Sequence, residues 1–356
     1  LLVSSNESGI FNAYALPTDG GTPVPLTRST DNSIFSLSYF PDDERFLYTS
    51  DQGGNELNHV YVQETDGTAR DLTPGDKLKA FFGGWAWDRG SFFLLTNERD
   101  QRFFDVYEYT VDDYARSVLF TNTQGLNFVD ASPDRSTILL SKTNTTTDSD
   151  IYLYEVATDS LTHLTPHAGE ITHDPQSFSP DGKSIYYLTN KESEFEYLVR
   201  RNLATGSTEV ILQLTWDVMY SSFSWDGTYL VVGINHDAKT ELRIYKGATM
   251  EPVALPQLPE AEISSVTFSP DESAIAFYAS ASTLPSDLFV YEFTGETPRQ
   301  LTRSLNPKID SEDLVDGTVE RFSSFDGVEI PGILYLPHQA STDNPVPALV
   351  WVHGGP

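Results

Sequence analysis

Short runs of alternating apolar and polar residues fill the chain, each bounded by Gly, Pro, Asp or Asn, as half-buried strands require. Runs such as 46–49, 138–141 and 185–189 each follow a Pro-Asp or Trp-Asp pair. Those pairs stand at Pro41-Asp42, Trp87-Asp88, Pro133-Asp134, Pro180-Asp181, Trp225-Asp226 and Pro270-Asp271, so successive aspartates lie 46, 46, 47, 45 and 45 residues apart. A spacing this constant marks a repeated supersecondary unit. A second hairpin follows in each unit with Tyr-rich runs (60–62, 105–107, 151–154), and a last strand closes on Leu-Thr at Leu72-Thr73, Leu164-Thr165 and Leu301-Thr302. Four short strands per unit, with no amphipathic helix between them, predict the blades of a β-propeller.

Six full units occupy residues 31–303, and residues 1–27 match the later part of a seventh, ending at Leu26-Thr27. The expected fold is therefore all-β, a seven-bladed propeller over 1–303 whose first blade lacks its inner strand and turn. Either that strand lies upstream of Leu1 or another segment supplies it as the ring closes. In Ser179-Pro180-Asp181-Gly182 the serine can open a type I turn, proline presets φ and glycine suits the last position. The turn aspartates are thus read as structural, not catalytic. The Trp-Asp pairs sit at the first turn and lack an accompanying Gly-His, so the WD-repeat label does not apply.

After Thr302 the period ends. Residues 304–318 read as a polar linker with one helical turn. In 319–356, two strands (319–325 and 328–336) flank Asp326-Gly327, a loop spans 337–347, and Ala348 to Val352 form an apolar run expected to be a buried strand before His353-Gly354-Gly355-Pro356. Some forty residues cannot build an independent core, so this segment is read as the opening of an α/β-hydrolase domain. A strand running into His-Gly-Gly suits the loop where that fold aims a backbone N–H at a developing oxyanion.

The ordered set Phe325-Asp326-Gly327-Val328-Glu329-Ile330-Pro331-Gly332, Tyr335-Leu336-Pro337 and His353-Gly354-Gly355-Pro356, placed after a propeller, resembles the prolyl oligopeptidase family of serine peptidases. Its His-Gly-Gly-Pro form is most similar to the acylaminoacyl-peptidase branch. The resemblance implies that the Gly355 N–H donates to the oxyanion while His353, Gly354 and Pro356 shape the loop. It also implies short peptide substrates whose access the propeller gates. The nucleophilic Ser, the Asp and the His would follow Pro356; no G-x-S-x-G occurs in residues 1–356, so the chain by itself is expected to be inactive. Two other readings stay open, a binding propeller similar to that of the Tol-Pal system and an esterase.

Glu192, Glu194 and Glu196 alternate, a spacing that puts three carboxylates on one face if the segment is extended. Related dipeptidyl peptidases hold a substrate amine with propeller glutamates, which makes the trio a candidate amine site beside the simpler reading of a solvated strand. Arg99 and Arg102 could meet a substrate carboxylate. His163, His167 and His173 with Asp174 match no zinc spacing, and no metal or other cofactor is expected.

Composition narrows the partners. With 52 acidic against 22 basic residues the net charge is -30, which repels nucleic acid. No cysteine is present, so there is neither disulfide nor thiolate chemistry. No run reaches the length of a membrane span and no leader pattern opens the chain, so a soluble, cytoplasmic protein is expected rather than a secreted one. Homo-oligomerisation is left open.

Overall fold

The computed structural model describes residues 1–257 and 260–352. Seven small antiparallel sheets follow one another along the chain, each ordered from an inner to an outer strand. Blade 1 holds only Leu2–Ser5, Asn12–Ala15 and Val24–Pro25. Blades 2 to 5 and blade 7 have four strands each, with inner strands Phe35–Tyr39, Ala80–Trp85, Asn127–Ala131, His173–Phe178 and Glu262–Phe268. The seven-bladed all-β fold expected from the repeat is the fold observed.

Blade 6 departs from the four-strand expectation. Its sheet contains Val218–Phe223, Tyr229–His236 and Lys239–Lys246, and its outer position is reduced to one bridge between Tyr245 and Pro252. Pro252 and Pro256 offer no N–H to a ladder, so that edge cannot be extended.

Packing between blades accounts for the ring. A four-stranded sheet has two apolar faces and can cover neither alone, and because strand side chains alternate, one strand serves both neighbours. In blade 4, Ile138 and Leu140 pack with Phe93, Val106 and Leu119 of blade 3, whereas Leu139 packs with Phe178, Ile185 and Val199 of blade 5. Blade 6 repeats this, with Leu230 and Val232 toward blade 5 and Val231 toward blade 7. Each such side chain contributes about 1.5–3 kcal/mol of burial. Ring closure uses the same packing: Ala276, Leu288 and Val290 of blade 7 meet Leu1, Val3 and Leu16 of blade 1, and the Arg299 guanidinium donates to the Thr18 carbonyl at 2.7 Å. No strand exchange links the two blades in the described residues. Where blades 7, 1 and 2 meet lies an apolar slot of about 600 Å³ lined by Leu1, Val3, Leu37, Tyr39, Trp85 and Ile275 among others.

In blades 4, 5 and 7 the turn aspartates carry out the structural role assigned to them. Asp134 Oδ1 accepts from Ser132 Oγ at 2.7 Å and Ser136 N at 3.0 Å, and Asp181 and Asp271 make the corresponding pairs. Polar staples join neighbouring blades near the axis: Ser36 N donates to Ser4 Oγ, Trp85 Nε1 to Ser38 Oγ, and Ser221 N to Gln176 Oε1. Asp130 is the charged member of this set, accepting from Phe178 N at 2.9 Å and Ala131 N at 2.8 Å, with the Trp87 side chain as a further donor.

Past the last blade strand, Arg299–Gln300, a 3-10 turn occupies Ser311–Asp313 and a hairpin pairs Gly317–Ser323 with Glu329–Tyr335. The buried strand expected at Ala348 to Val352 is not formed. Leu349, Val350, Trp351 and Val352 are more than four-fifths exposed, because no strand among the described residues lies alongside to take up their backbone bonds. No helix of the described residues is long and apolar enough to cross a membrane.

Desolvation pushes the Asp130 carboxyl up to about 7 against its three donors, from an ordinary value of 3.8. Between these two values the folded chain binds the proton more tightly than the unfolded chain does, so this group's contribution to stability is full below about 4 and is lost as pH rises toward 7. Asp130→Asn keeps an acceptor for Phe178 N and does not titrate. In urea unfolding, wild type should lose stability relative to Asp130→Asn between about pH 4 and 7 and run parallel to it above; parallel curves throughout would reject the assignment.

Candidate functional site

The propeller's two faces differ in what they present. One carries the Pro-Asp and Trp-Asp turns. The other carries the hairpins between second and third strands, and the terminal hairpin docks there: Arg321 Nη2 pairs with Asp237 Oδ1 at 2.5 Å, Thr283 Oγ1 donates to Asp316 Oδ1 at 2.8 Å, and Ser282 Oγ donates to Tyr335 OH at 3.3 Å. Asp237 belongs to a hairpin tip of blade 6, and Ser282 and Thr283 to one of blade 7.

On this second face, between blades 4, 5 and 6, lies an open cavity of about 500 Å³ lined by Thr147, Thr172, Asn190, Glu194, Glu196 and Asp217 among others. None of its lining residues is Lys or Arg. Glu196 is held in place: its N–H donates to Asp217 Oδ1 at 2.8 Å and its Oε1 accepts from Thr172 Oγ1 at 2.7 Å, while Asn190 Oδ1 accepts from Thr172 N at 3.0 Å. Glu194 stands exposed at the rim. The third carboxylate of the expected row does not join them. Residues 191–195 form the connection between strands Ser184–Thr189 and Tyr197–Asn202 instead of an extended segment, and Glu192 sits exposed at its tip with φ 58°. The alternation of glutamates therefore does not place three of them on one strand face; it places two in the cavity, where Asp217 of blade 6 joins them. Asp217 carries no local signal in the sequence, since only the juxtaposition of two blades makes it part of the site.

The two arginines are engaged within their own blade. Arg99 spans both oxygens of Asp105 at 2.6 and 2.8 Å and donates to the Asn122 carbonyl, and Arg102 pairs with Asp100 at 2.7 Å, which holds the Asp100 carboxyl well below its usual range. The histidines make a local network. His163 Nε2 contacts Asp150 Oδ1 at 2.7 Å and His167 Nδ1 contacts the Thr165 carbonyl oxygen at 2.8 Å, while His173 is buried with Nδ1 unpartnered. Burial, then the neighbouring His167, pushes His173 down to about 4, so it is neutral at physiological pH. Among the described residues no group of three or more His, Cys, Asp or Glu has metal-holding geometry. His353, Gly354 and Gly355, expected to form an oxyanion loop, lie outside the described residues.

Comparison with known proteins bears on this geometry. The family described as "Prolyl oligopeptidase, N-terminal beta-propeller domain" matches residues 27–304. Dipeptidyl aminopeptidase BIII of Pseudoxanthomonas mexicana is 24% identical over 361 residues, which take in 98% of this chain and 52% of that protein. The chain thus spans about half the length of the curated relative it matches. Among solved structures, a puromycin-hydrolyzing peptidase of Mycobacterium tuberculosis superposes with a TM-score of 0.71 at 13% identity, over 93% of this chain and 54% of the other. A puromycin hydrolase does so at 0.70 and 17% identity, over 95% and 57%. A structure from a study of two prolyl endopeptidases gives 0.69 at 15% identity, over 90% and 50%.

Proposed function

Since the chain belongs to the prolyl oligopeptidase family, we propose that it is the substrate-side part of a serine peptidase that hydrolyses short peptides, with residues 1–303 as the propeller, 304–318 as the linker and 319–356 as the start of the catalytic domain. The observation that carries the reading is the acidic cavity on the face where the terminal hairpin docks. A catalytic domain continuing from that hairpin would lie over the cavity, and a peptide held between them would present one end to the carboxylates.

Glu194 and Glu196, with Asp217 behind them, suit a protonated amino terminus. Carboxylate–ammonium hydrogen bonds are short and about twice as strong as neutral ones, and a net charge of -30 favours the approach of a cationic peptide end. The similarity to a dipeptidyl aminopeptidase supports this choice over the acylaminoacyl type suggested by the His-Gly-Gly-Pro ending, because an acylated terminus has no charge for the cavity to hold. Glu192, at the hairpin tip, is assigned to the rim. In the oxyanion loop Gly355 supplies one backbone donor, with His353 and Gly354 positioning it.

Two measurements on the chain extended through its catalytic domain test these assignments. Glu194→Gln combined with Glu196→Gln should raise KM for a substrate with a free amino terminus by about tenfold or more and leave the N-acetylated counterpart unchanged. Equal effects on both substrates, or none on either, would reject the amine site. Gly355→Pro deletes the donor without adding charge and should lower kcat by about a hundredfold; unchanged kcat in the folded variant would move the oxyanion hole elsewhere.

A further inference from the structure

Two turns break the Pro-Asp pattern, and neither the repeat nor the cavity explains them. Blades 2, 4, 5 and 7 place Pro41, Pro133, Pro180 and Pro270 before the turn aspartate, whereas blades 3 and 6 place Trp87 and Trp225. Blades 3 and 6 stand three places apart in a ring of seven, so these turns face each other across the axis. Their side chains meet there. The Trp87 and Phe223 rings lie 6.3 Å apart, the Arg89 guanidinium sits 5.2 Å over the Trp225 ring, and Arg89 Nη2 bonds Asp226 Oδ1 at 2.8 Å. Neighbouring turns brace the pair: Arg135 binds Asp88, and Asp226 N donates to Glu272 Oε1 at 2.6 Å.

The backbone adds an independent observation. In blades 3 to 7 the residue after the turn aspartate is left-handed, and in blades 5 and 6 it is Gly182 (φ 69°) and Gly227 (φ 72°). Blades 3, 4 and 7 hold Arg89 (φ 61°), Arg135 (φ 60°) and Glu272 (φ 56°) in that conformation, and each of the three reaches another blade's turn. A Cβ is penalised there, and such strain persists where the side chain is put to use. Behind the crossing lies a chamber of about 360 Å³ lined by Trp87, Asp130, Ser177, Ser222, Trp225 and Thr267 among others.

We propose that Trp87, Arg89, Trp225 and Asp226 form a cross-axis cover that closes the turn-side mouth of the channel, so that peptides do not pass through the propeller along its axis. The cover rests on the geometry of the ring alone. Its consequence, that substrate reaches the reactive centre from the hairpin face or the flank, rests on the peptidase reading above.

The cysteine-free chain allows a direct test that involves no hydrolysis, so its failure is distinct from failure of the peptidase reading. Ser222→Cys places one thiol in the chamber, at an exposed position. Arg89→Gly removes both the ion pair and the cation–π contact at a position where glycine is the preferred residue, so the variant should fold. A fluorophore maleimide should label the Ser222→Cys thiol about tenfold faster when Arg89→Gly is added, with Trp87→Ala giving a similar gain. Molar salt should speed labelling only while Arg89 is present. Equal rates with and without Arg89, or labelling of Ser222→Cys with Arg89 intact as fast as that of a Glu192→Cys variant at the exposed hairpin tip, would overturn the proposal.

Discussion

Packing of each blade against both neighbours is the constraint on which the rest depends. Ile138, Leu139 and Leu140 show it at its smallest scale: three consecutive residues of one strand, fully buried, with the outer two committed to blade 3 and the middle one to blade 5. No blade has a core of its own, so the ring is stable only when every interface is filled, including the apolar closure between blades 7 and 1. Functional groups inherit their positions from this arrangement. Glu196 meets Asp217, and Arg89 meets Asp226, because neighbouring or opposite blades are held at fixed angles.

That dependence explains how much could be read in advance. The 46-residue period made the blades, their turns and their number legible, since turn chemistry and strand alternation are local. The weakened outer edge of blade 6 is also local, written in Pro252 and Pro256. Ala348 to Val352 read as a buried strand from hydrophobicity alone, and burial requires a sheet alongside that the described residues do not contain. Glu192, Glu194 and Glu196 do not share one face, because alternation implies a shared face only in extended backbone and residues 191–195 turn. Asp217 and the Arg89–Asp226 crossing depend on distance around a ring and could not be seen in one dimension. The crossing leaves one trace in the sequence, tryptophan in place of proline before the turn aspartate in blades 3 and 6.

Electrostatics divides the molecule in the same way. The hairpin face gathers carboxylates with no basic residue lining their cavity, whereas the turn face spends arginines 89 and 135 on binding one blade's turn to another's. The carboxylates of that cavity are thus left without a basic partner among its lining residues. The solved structures similar to it share its fold at 13–17% identity, so the assignment of charge to each face is argued from this chain's own residues.

We propose that this chain is the substrate-side portion of a serine peptidase whose nucleophile lies outside residues 1–356. Treating residues 1–356 and the chain extended through its catalytic domain with a fluorophosphonate probe tests that claim most directly. Labelling and peptide hydrolysis are expected in the extended chain and neither in residues 1–356; labelling of the shorter chain, or an extended chain that folds yet takes up no probe, would contradict this reading.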